Sequence, residues 1–517
     1  MINLTFNRAF DWTTKKNIWV KGVVFDKKNN CLQNETLIEY FSYVTNELEF
    51  KNTLKQLNGF FSVVIKTNDC IFAAVDYTRS HPLFYSKEHQ WIGDDPKSLT
   101  KTKHIEKDPV SVLELSATGY VTGSDTTYKD IKQVQAGEYL VFKDSKIKTK
   151  SYYKYLHTDF INYNQENALD ALDKSITNAI KRLVTYANGR QLVLPLSGGF
   201  DSRLIALKVK ELDYKNILCF SYGKKNNWES QVSEKVATKL GFNWTFIDYK
   251  PIIKSLYQST DMIKYSHFAH RTVSFPHIQD YFAVHQLKER TLIENNAIFI
   301  PGHSADFLAG SHLSNLELHN SSLTQAQITK RILNNHYVLF KLTKKQKDIY
   351  SQKIIATLPS QAKSGDTSSQ LDHWNWRERQ AKFIVNACRV YEFFGYQWHC
   401  PLWDTEIMEY FQKLPLKYRK EKWLYNYYVD QLEPKLAQKE PEKKSYLRTY
   451  LSTTINTMFD DSIYFHILKL YRDQKNRLCF NKLIPLHLKK LYYKKGYKNT
   501  NGVLIAHVIE NFLKEYG

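Results

Sequence analysis

The stretch QLVLPLSGGFDSRL, residues 191–204, decides the fold of the second half of the chain. An apolar run typical of a buried strand leads into the turn SGGFDS, residues 197–202, and a helical pattern follows it. The two glycines let backbone N–H groups come close to an anion, and the start of the helix adds its dipole. The hydroxyl groups of Ser197 and Ser202 can donate to phosphate oxygens. Asp201 would repel a phosphate, so its presence implies that a Mg²⁺ ion lies between the two.

This turn lacks the Gly-Lys-Ser/Thr ending of a Walker A loop and the GxGxxG spacing of a dinucleotide-binding loop. It resembles the SGGxDS loop of the PP-loop ATP pyrophosphatases. The resemblance implies that ATP is cleaved between its α and β phosphates, that a substrate oxygen is adenylated, and that the loop holds the departing pyrophosphate. It assigns six residues to nucleotide binding: Leu196, Ser197, Gly198, Gly199, Asp201 and Ser202. Arg203, next to the loop, is expected to add positive charge near the leaving group.

Strand and helix patterns alternate after this turn, which is typical of a parallel α/β sheet. Strand patterns occur in NILCFSYG, WTFIDY and NAIFIPGHSADF, and helical patterns occur in DSRLIALKVKEL and ESQVSEKVATKLG. Because ligands bind at the carboxyl ends of such strands, we expect the backbone of Ser221 and Tyr222 to meet the adenine. Gly302 would let the backbone approach the nucleotide, and Asp306 would hold Mg²⁺ together with Asp201.

These loops, in this order, are similar to those in the synthetase domain of the asparagine synthetases. In GYQWHCPLWD, residues 395–404, three residues match that family's pattern: Pro401, Leu402 and Asp404. The family glutamate that acts in amide formation falls on Gln397, which cannot serve as a base. Glu392, five residues earlier, is either a substitute acid or a structural residue. Lys422 matches the family's lysine that neutralises phosphate charge near the adenylate.

The first 150 residues are rich in strand patterns. GFFSVVIKTNDCIFAAVDY and QAGEYLVFKDSKIKTKSYYKY each predict a β-hairpin. This part resembles the class II glutamine amidotransferases, which implies an Ntn-hydrolase-like αββα fold. That family uses an N-terminal cysteine as its nucleophile, whereas the corresponding residue here is Ile2, and Cys31 and Cys70 do not adjoin a free α-amino group. We therefore expect a glutaminase-like domain without activity.

The strand and helix patterns, together with the two family resemblances, predict three parts and a mixed α/β and α+β fold class. An inactive glutaminase-like domain occupies residues 1–157. A PP-loop, HUP-like synthetase domain with a doubly wound parallel sheet and a helical C-terminal part occupies residues 166–435. A basic, mostly helical extension occupies residues 436–517.

The composition is that of a globular protein, with 43% hydrophobic and 24% charged residues. The six cysteines form no CxxC pair, which indicates a reducing compartment rather than a disulfide scaffold or a zinc site. The chain has no basic and apolar leader pattern, and no segment approaches the roughly 18 apolar residues of a membrane span. We therefore expect a cytoplasmic, bacterial protein.

The formal net charge of +21 either attracts anionic partners or reflects lysines scattered over solvated faces. The segment HLKKLYYKKGYK, residues 487–498, could bind nucleic acid by charge and stacking, dock on an anionic membrane, or form a surface helix. We favour the surface helix. Nucleic acid binding is therefore not expected, and peripheral membrane association stays open as an alternative.

From the family resemblance we predict an ATP- and Mg²⁺-dependent carbon–nitrogen ligase. A carboxylate would attack the α phosphorus of ATP to give an acyl-adenylate and pyrophosphate, and ammonia or an amine would then displace AMP. The substrate would be aspartate or a sugar uronate in surface polysaccharide biosynthesis. A partner would supply ammonia, and the chain would form a homodimer. Two alternatives stay open, a PP-loop enzyme that modifies tRNA and a catalytically degenerate scaffold.

Overall fold

The computed structural model of the chain describes residues 1–157, 159–313, 323–359, 367–432 and 477–514. A first domain built on two β-sheets is followed by a second domain built on one parallel sheet. This architecture confirms the predicted fold class. The predicted boundary between residues 435 and 436 lies outside the described residues.

The first domain combines short strands with a few helices. Its strands are β1 (Ile2–Asn3), β2 (Thr13–Lys15), β3 (Ile18–Phe25), β4 (Cys31–Gln33), β5 (Asn58–Lys66), β6 (Ile71–Val75), β7 (Phe84–Ser86), β8 (Trp91–Gly93), β9 (Lys132–Gln133), β10 (Glu138–Lys143) and β11 (Lys146–Ser151). Its helices are α1 (Asn34–Phe41), α2 (Glu47–Leu54), α3 (Pro96–Thr100) and α4 (Pro109–Thr118).

Two stacked sheets form the core of this domain. The smaller sheet has the strand order β1-β8-β7-β9, and the larger has the order β11-β10-β6-β5-β3-β2, with β4 paired to β3. Both predicted hairpins are present, as the antiparallel pairs β5–β6 and β10–β11. Apolar side chains of the two sheets pack together, among them Val64 and Leu140 of the larger sheet and Ile92 of the smaller one. Helix α1 lies against β3, and Phe50 of α2 stacks on Phe72 of β6 at 5.2 Å.

The second domain alternates helices and parallel strands. In chain order they are α5 (Gln165–Ala187), β12 (Leu192–Pro195), α6 (Phe200–Glu211), β13 (Ile217–Gly223), α7 (Trp228–Leu240), β14 (Asn243–Asp248), α8 (Tyr249–Tyr257), α9 (Thr260–His270), α10 (Tyr281–Glu289), β15 (Ile298–Phe299) and α11 (Ala305–Leu308). Apolar residues spaced three and four apart form one buried stripe of helix α5, including Leu172, Ile176, Ile180 and Leu183.

A mostly helical part follows, as expected. Its helices are α12 (Gln325–His336), α13 (Lys344–Thr357), α14 (Thr367–Asn375), a π-helix (Trp376–Ile384), α15 (Arg389–Phe393), α16 (Thr405–Lys413), α17 (Leu416–Arg419), α18 (Trp423–Leu432), α19 (Leu486–Lys494) and α20 (Thr500–Asn511). Short 3₁₀ turns are Val385–Cys388, Pro401–Trp403, Lys420–Lys422 and Phe480–Lys482, and strand β16 is Gln397–Trp398.

The parallel sheet has the strand order β14-β13-β12-β15-β16. The chain therefore runs outward from the central strand β12 on one side and returns to build β15 and β16 on the other. This reversal places a crevice at the carboxyl ends of β12 and β15, the topological switch point where open α/β sheets bind their ligands.

The described C-terminal segment, residues 477–514, packs on the rest of the molecule. Lys498 N–H donates to the Leu339 carbonyl at 2.9 Å, and Lys341 N–H donates to the Gly496 carbonyl at 2.8 Å. Helix α19 is the surface helix that we favoured, although Tyr492 within it is only 1% exposed and cannot stack on a base. No helix among the described residues is both long and apolar enough to cross a bilayer.

The two domains are joined at Asp404. Its carboxylate accepts hydrogen bonds from Arg182 Nε at 2.7 Å and Arg182 Nη2 at 2.9 Å, and Asn58 Nδ2 of the first domain donates to it at 3.0 Å. Asp404 also caps helix α16 by accepting from Glu406 N–H at 2.9 Å. A single buried carboxylate therefore connects β5, α5 and α16.

Candidate active site

The turn between β12 and α6 is held by its own serines. Ser197 N–H donates to Ser202 Oγ, and Gly199 N–H donates to Ser197 Oγ, each at 3.1 Å. Helix α6 begins after Gly199, so its first N–H groups have no partner inside the helix and face the end of the sheet. Gly198 packs closely on Trp228, since a Cβ there would lie 2.7 Å from its ring, and Trp228 would have to move to make room for one.

The second loop, residues 302–306, lies directly against this turn. A Cβ on Gly302 would lie 2.8 Å from the backbone nitrogen of Ser202, so only glycine allows this approach. Asp306 N–H donates to Asp201 Oδ2 at 3.1 Å, and the hydroxyl of Tyr425 donates to Asp201 Oδ1 at 2.9 Å. The two aspartates predicted to hold a metal are thus neighbours.

The electrostatics of this pair favour a bound cation. Burial and the adjacent charge of Asp306 raise the pKa of Asp201 to about 7, against the lowering effects of the Asp306 N–H, the Tyr425 hydroxyl and Lys422. Asp306 is exposed at the mouth of the site, while Lys422 is half-buried on the 3₁₀ turn before α18. Two carboxylates that repel each other at the end of a sheet have the chemistry that suits Mg²⁺, a hard cation with oxygen ligands.

A cleft of about 440 Å³ opens over both loops. Eight of the residues predicted from the sequence line it: Ser197, Gly199, Asp201, Ser202, Tyr222, Gly302, Asp306 and Lys422. This volume lies in the range of small-molecule sites in proteins, about 300–1,000 Å³.

Four other predicted residues lie behind the wall of the cleft. Leu196 is buried and donates its N–H to the Phe220 carbonyl, and Gly198 packs on Trp228 as described. Ser221 is buried within strand β13. Arg203 is 2% exposed and donates from Nη2 to the Gly198 carbonyl at 3.1 Å, so it braces the turn from behind.

The structure does not bring Gln397 to the cleft. Gln397 pairs with Ile298, which pairs with Leu192 at the start of β12, five residues before Ser197. At the rise of a strand this separation is about 16 Å, at the opposite end of the sheet. Its side chain accepts from Tyr186 and Arg190, each at 2.7 Å, and donates to the Ala9 carbonyl of the first domain at 3.1 Å.

Glu392 also lies away from the cleft. Its contacts favour a structural role over that of a substitute acid. It is 1% exposed, and it accepts from Arg389 Nη1 at 2.7 Å and from Trp398 Nε1 at 2.8 Å. Both carboxylate oxygens are thus engaged. Trp398 in turn packs on Phe60 and Phe10 of the first domain, with ring centroids 5.3 and 6.1 Å apart.

Several residues of the cleft were missed by the sequence analysis. Asp280 accepts from the hydroxyls of Tyr222 and Tyr391, the latter at 2.7 Å, and Gln279 Nε2 donates to the Tyr222 hydroxyl at 2.9 Å. Burial lowers the pKa of His303 to about 4, so this imidazole is neutral at pH 7. The signal that could have indicated Gln279 and Asp280 is the run FPHIQD, residues 275–280, which places polar residues between apolar ones just ahead of α10. His303 lies in the second loop, next to Gly302.

Comparison with known proteins identifies both halves of the chain. A model of the glutamine amidotransferase domain matches residues 33–153, and a model of asparagine synthase matches residues 171–458, more than half of the chain. The NH₃-dependent NAD⁺ synthetase of Methanococcus aeolicus is 35% identical over 89 residues, which make up 17% of this chain and 35% of that protein. The match therefore spans about a third of that relative.

The solved structures that resemble part of this chain include two other synthetases. An NH₃-dependent NAD synthetase from Campylobacter jejuni is 16% identical with a TM-score of 0.22, and covers 40% of this chain and 94% of its own. An NMN synthetase from Francisella tularensis is 14% identical with a TM-score of 0.20, and covers 45% and 94%. These scores are too low to carry a conclusion. On the match of more than half its length, the chain belongs to the asparagine synthase family and carries a glutamine amidotransferase-like domain in front of the synthase domain.

Proposed function

We propose that the chain is an ATP-dependent amide-forming ligase that activates a carboxylate as an acyl-adenylate. The observation that carries this proposal is the meeting of two loops at the switch point of the sheet, where Asp201, Asp306 and Lys422 line one cleft. A phosphate-binding turn, an acidic pair and a lysine are the groups that a reaction at the phosphates of ATP requires.

In the first step, a carboxylate oxygen of the substrate attacks the α phosphorus, the bond to the bridging oxygen of the β phosphate breaks, and pyrophosphate leaves. The turn at residues 197–202 binds the pyrophosphate through its backbone N–H groups and serine hydroxyls. Lys422 offsets negative charge on the phosphates, and Arg203 keeps the turn in place through the Gly198 carbonyl.

We infer that Asp201 and Asp306 hold Mg²⁺. When bound, this ion neutralises phosphate charge and polarises the P–O bond that breaks. Two hydrogen bonds within the chain fix the position of the Asp201 carboxylate. The Tyr425 hydroxyl and the Asp306 N–H orient the carboxylate of Asp201 toward the second loop.

In the second step, the nitrogen of ammonia or an amine attacks the acyl carbon, the bond to AMP breaks, and the nitrogen loses a proton to water. We place neither Gln397 nor Glu392 in this step, because both are engaged elsewhere. His303, neutral near pH 7 and lining the cleft, is the group best placed to accept a hydrogen bond from the incoming amine.

We propose that the first domain does not hydrolyse glutamine. Strand β1 pairs with β8, whereas Cys31 lies in β4 and Cys70 lies at the turn of the β5–β6 hairpin. Neither thiol lies on β1, where the amidotransferases that this domain resembles would carry the nucleophile. Free ammonia, or ammonia from a partner, would then be the nitrogen source.

The proposed substrate is a small carboxylic acid, either aspartate or a sugar uronate of surface polysaccharide biosynthesis. The test is ATP–pyrophosphate exchange measured with a panel of carboxylic acids, followed by AMP and amide formation with ammonium or glutamine. Exchange that depends on a carboxylic acid, and amide formed with ammonium only, is the expected result. Turnover supported by glutamine would show that the first domain is active, and absence of exchange with every acid would exclude adenylation.

A further inference from the structure

A second cavity of about 330 Å³ lies beside the cleft. His277 and Gln279 line both spaces, so the two spaces adjoin at these two side chains. The roles proposed above for the cleft residues do not involve this cavity. A ligand in it would therefore reach the edge of the cleft in which we place the nucleotide.

Arg379 supplies the charge of this cavity. It lies on the π-helix Trp376–Ile384, it is half-buried, and it makes no hydrogen bond or ion pair with the described residues. π-helical turns are rare and occur often at functional sites. Arg379, His277 and His336 line the same cavity. After burial, the charge of Arg379 is the main influence that lowers the pKa of His336 to about 3, and it also lowers the pKa of His277.

The rest of the lining is uncharged. No aspartate or glutamate is among the described residues that line the cavity. Aromatic rings are contributed by Tyr120 and Phe383, and side-chain amides by Gln279, Asn335 and Asn501. Rings offer flat apolar faces to C–H groups, while amides donate to and accept from hydroxyl groups.

We propose that this cavity binds the acid that is activated, and that the acid is a hydroxylated carboxylate of the sugar-acid class. Arg379 pairs with the carboxylate near His277, which directs the reacting oxygen toward the cleft, while the amides bind ring hydroxyls. A cavity of this volume is larger than aspartate needs. This inference rests on the adenylation proposed above and narrows its substrate.

Arg379→Gln in the full chain tests the pairing, with D-glucuronate as the probe. A charge-assisted hydrogen bond contributes about 1.5–3 kcal/mol, so we expect the KM for D-glucuronate in pyrophosphate exchange to rise about 10–100-fold. The KM for ATP stays within about twofold of the wild-type value, and Arg379→Lys recovers part of the loss. Arg290→Gln, a change at an exposed arginine that bonds Gln286, is the matched control without effect. A KM for D-glucuronate unchanged in Arg379→Gln overturns the proposal.

Ligand selectivity is tested by binding alone, with saturation-transfer NMR on the wild-type chain. We expect D-glucuronate to bind more tightly than cyclohexanecarboxylate or aspartate, and Asn501→Ala to reduce that preference. Equal binding of glucuronate and cyclohexanecarboxylate, tighter binding of aspartate, or no binding of any of these acids overturns the inference. Binding of glucuronate that is lost in Arg379→Gln, together with absence of pyrophosphate exchange, would overturn the proposed adenylation and leave the cavity assignment standing.

Discussion

The Asp201→Asn variant tests whether the carboxylate of Asp201 acts in the reaction or only holds the two loops together. The amide has nearly the same shape as the carboxylate, and its oxygen can accept from Asp306 N–H while Tyr425 accepts from its nitrogen. The substitution therefore removes a negative charge and keeps the contacts. We expect pyrophosphate exchange to fall by about 10²–10³-fold, the usual effect of removing one group that stabilises transition-state charge.

The same substitution should stabilise the ligand-free chain at alkaline pH. The folded chain keeps a proton on Asp201 up to about pH 7, whereas the unfolded chain loses it near the ordinary value of 3.8. Stability due to that proton is therefore lost as the pH rises from about 4 to about 7. Because an asparagine does not ionise, the variant does not lose stability at this position as the pH rises.

The size of this effect follows from the pKa. The interval of about three pH units corresponds to on the order of 4 kcal/mol at 1.36 kcal/mol per unit. Because the cleft is open to water, we expect a measured gain of about 1–2 kcal/mol. For a domain of this size that is a rise of about 2–8 °C in Tm.

Thermal unfolding in EDTA without nucleotide, at pH 5.5 and pH 8 and one fixed scan rate, measures this gain. The variant should exceed the wild type at pH 8 by more than it does at pH 5.5, and Asp213→Asn, at an exposed carboxylate, should show no such difference. A Tm that falls equally at both pH values, or exchange activity that persists, would refute the reasoning.

Three further substitutions test the remaining parts of the site and the domain joint. Gly302→Ala places a Cβ 2.8 Å from the Ser202 backbone, and the displaced loops should lower exchange by about 10²-fold, whereas Gly199→Ala meets only Ser197 Oγ at 3.2 Å and should have a milder effect. Lys422→Met should lower exchange by about 10²-fold with little change in Tm, and a loss of stability instead would point to a structural lysine. Arg182→Ala leaves Asp404 buried without its main partner and should cost about 3–5 kcal/mol of unfolding free energy in urea titrations, and a cost below about 1 kcal/mol would contradict the buried joint.

The nucleotide-binding turn could be predicted from the sequence because its signals are local. The strand, the turn and the helix are adjacent in residues 191–204, so their spacing alone specifies the geometry. Gly302 and Asp306 were also predicted, since the carboxyl ends of parallel strands meet at one edge of a sheet. Their contact with Asp201, across more than 100 residues, follows from the strand order.

The rest of the site depends on contacts that no local pattern encodes. His277, Gln279 and Asp280 come from a connection between helices. Gln279 and Asp280 are held at the cleft by hydrogen bonds with Tyr222 and Tyr391, and the His277 carbonyl accepts a hydrogen bond from Tyr265. A match to a family motif placed Gln397 in the chemistry, but the register of β16 decides which end of the sheet it occupies. Likewise, no sequence pattern distinguishes Arg379 from other arginines. Its place in the cavity lining follows from the π-helix Trp376–Ile384 that carries it.

The contact of Trp398 with Phe10 and Phe60 gives the first domain a structural role at the edge of the second domain. Strand β16 is the last strand of the parallel sheet, and its outer side would be an open edge on an isolated synthase domain. Open edges recruit strands from other molecules and begin aggregation. The first domain packs aromatic rings on Trp398 of this strand, and its Ala9 carbonyl accepts a hydrogen bond from the Gln397 side chain. A chain shortened to the synthase domain would expose these side chains, so it should be less soluble than the full chain.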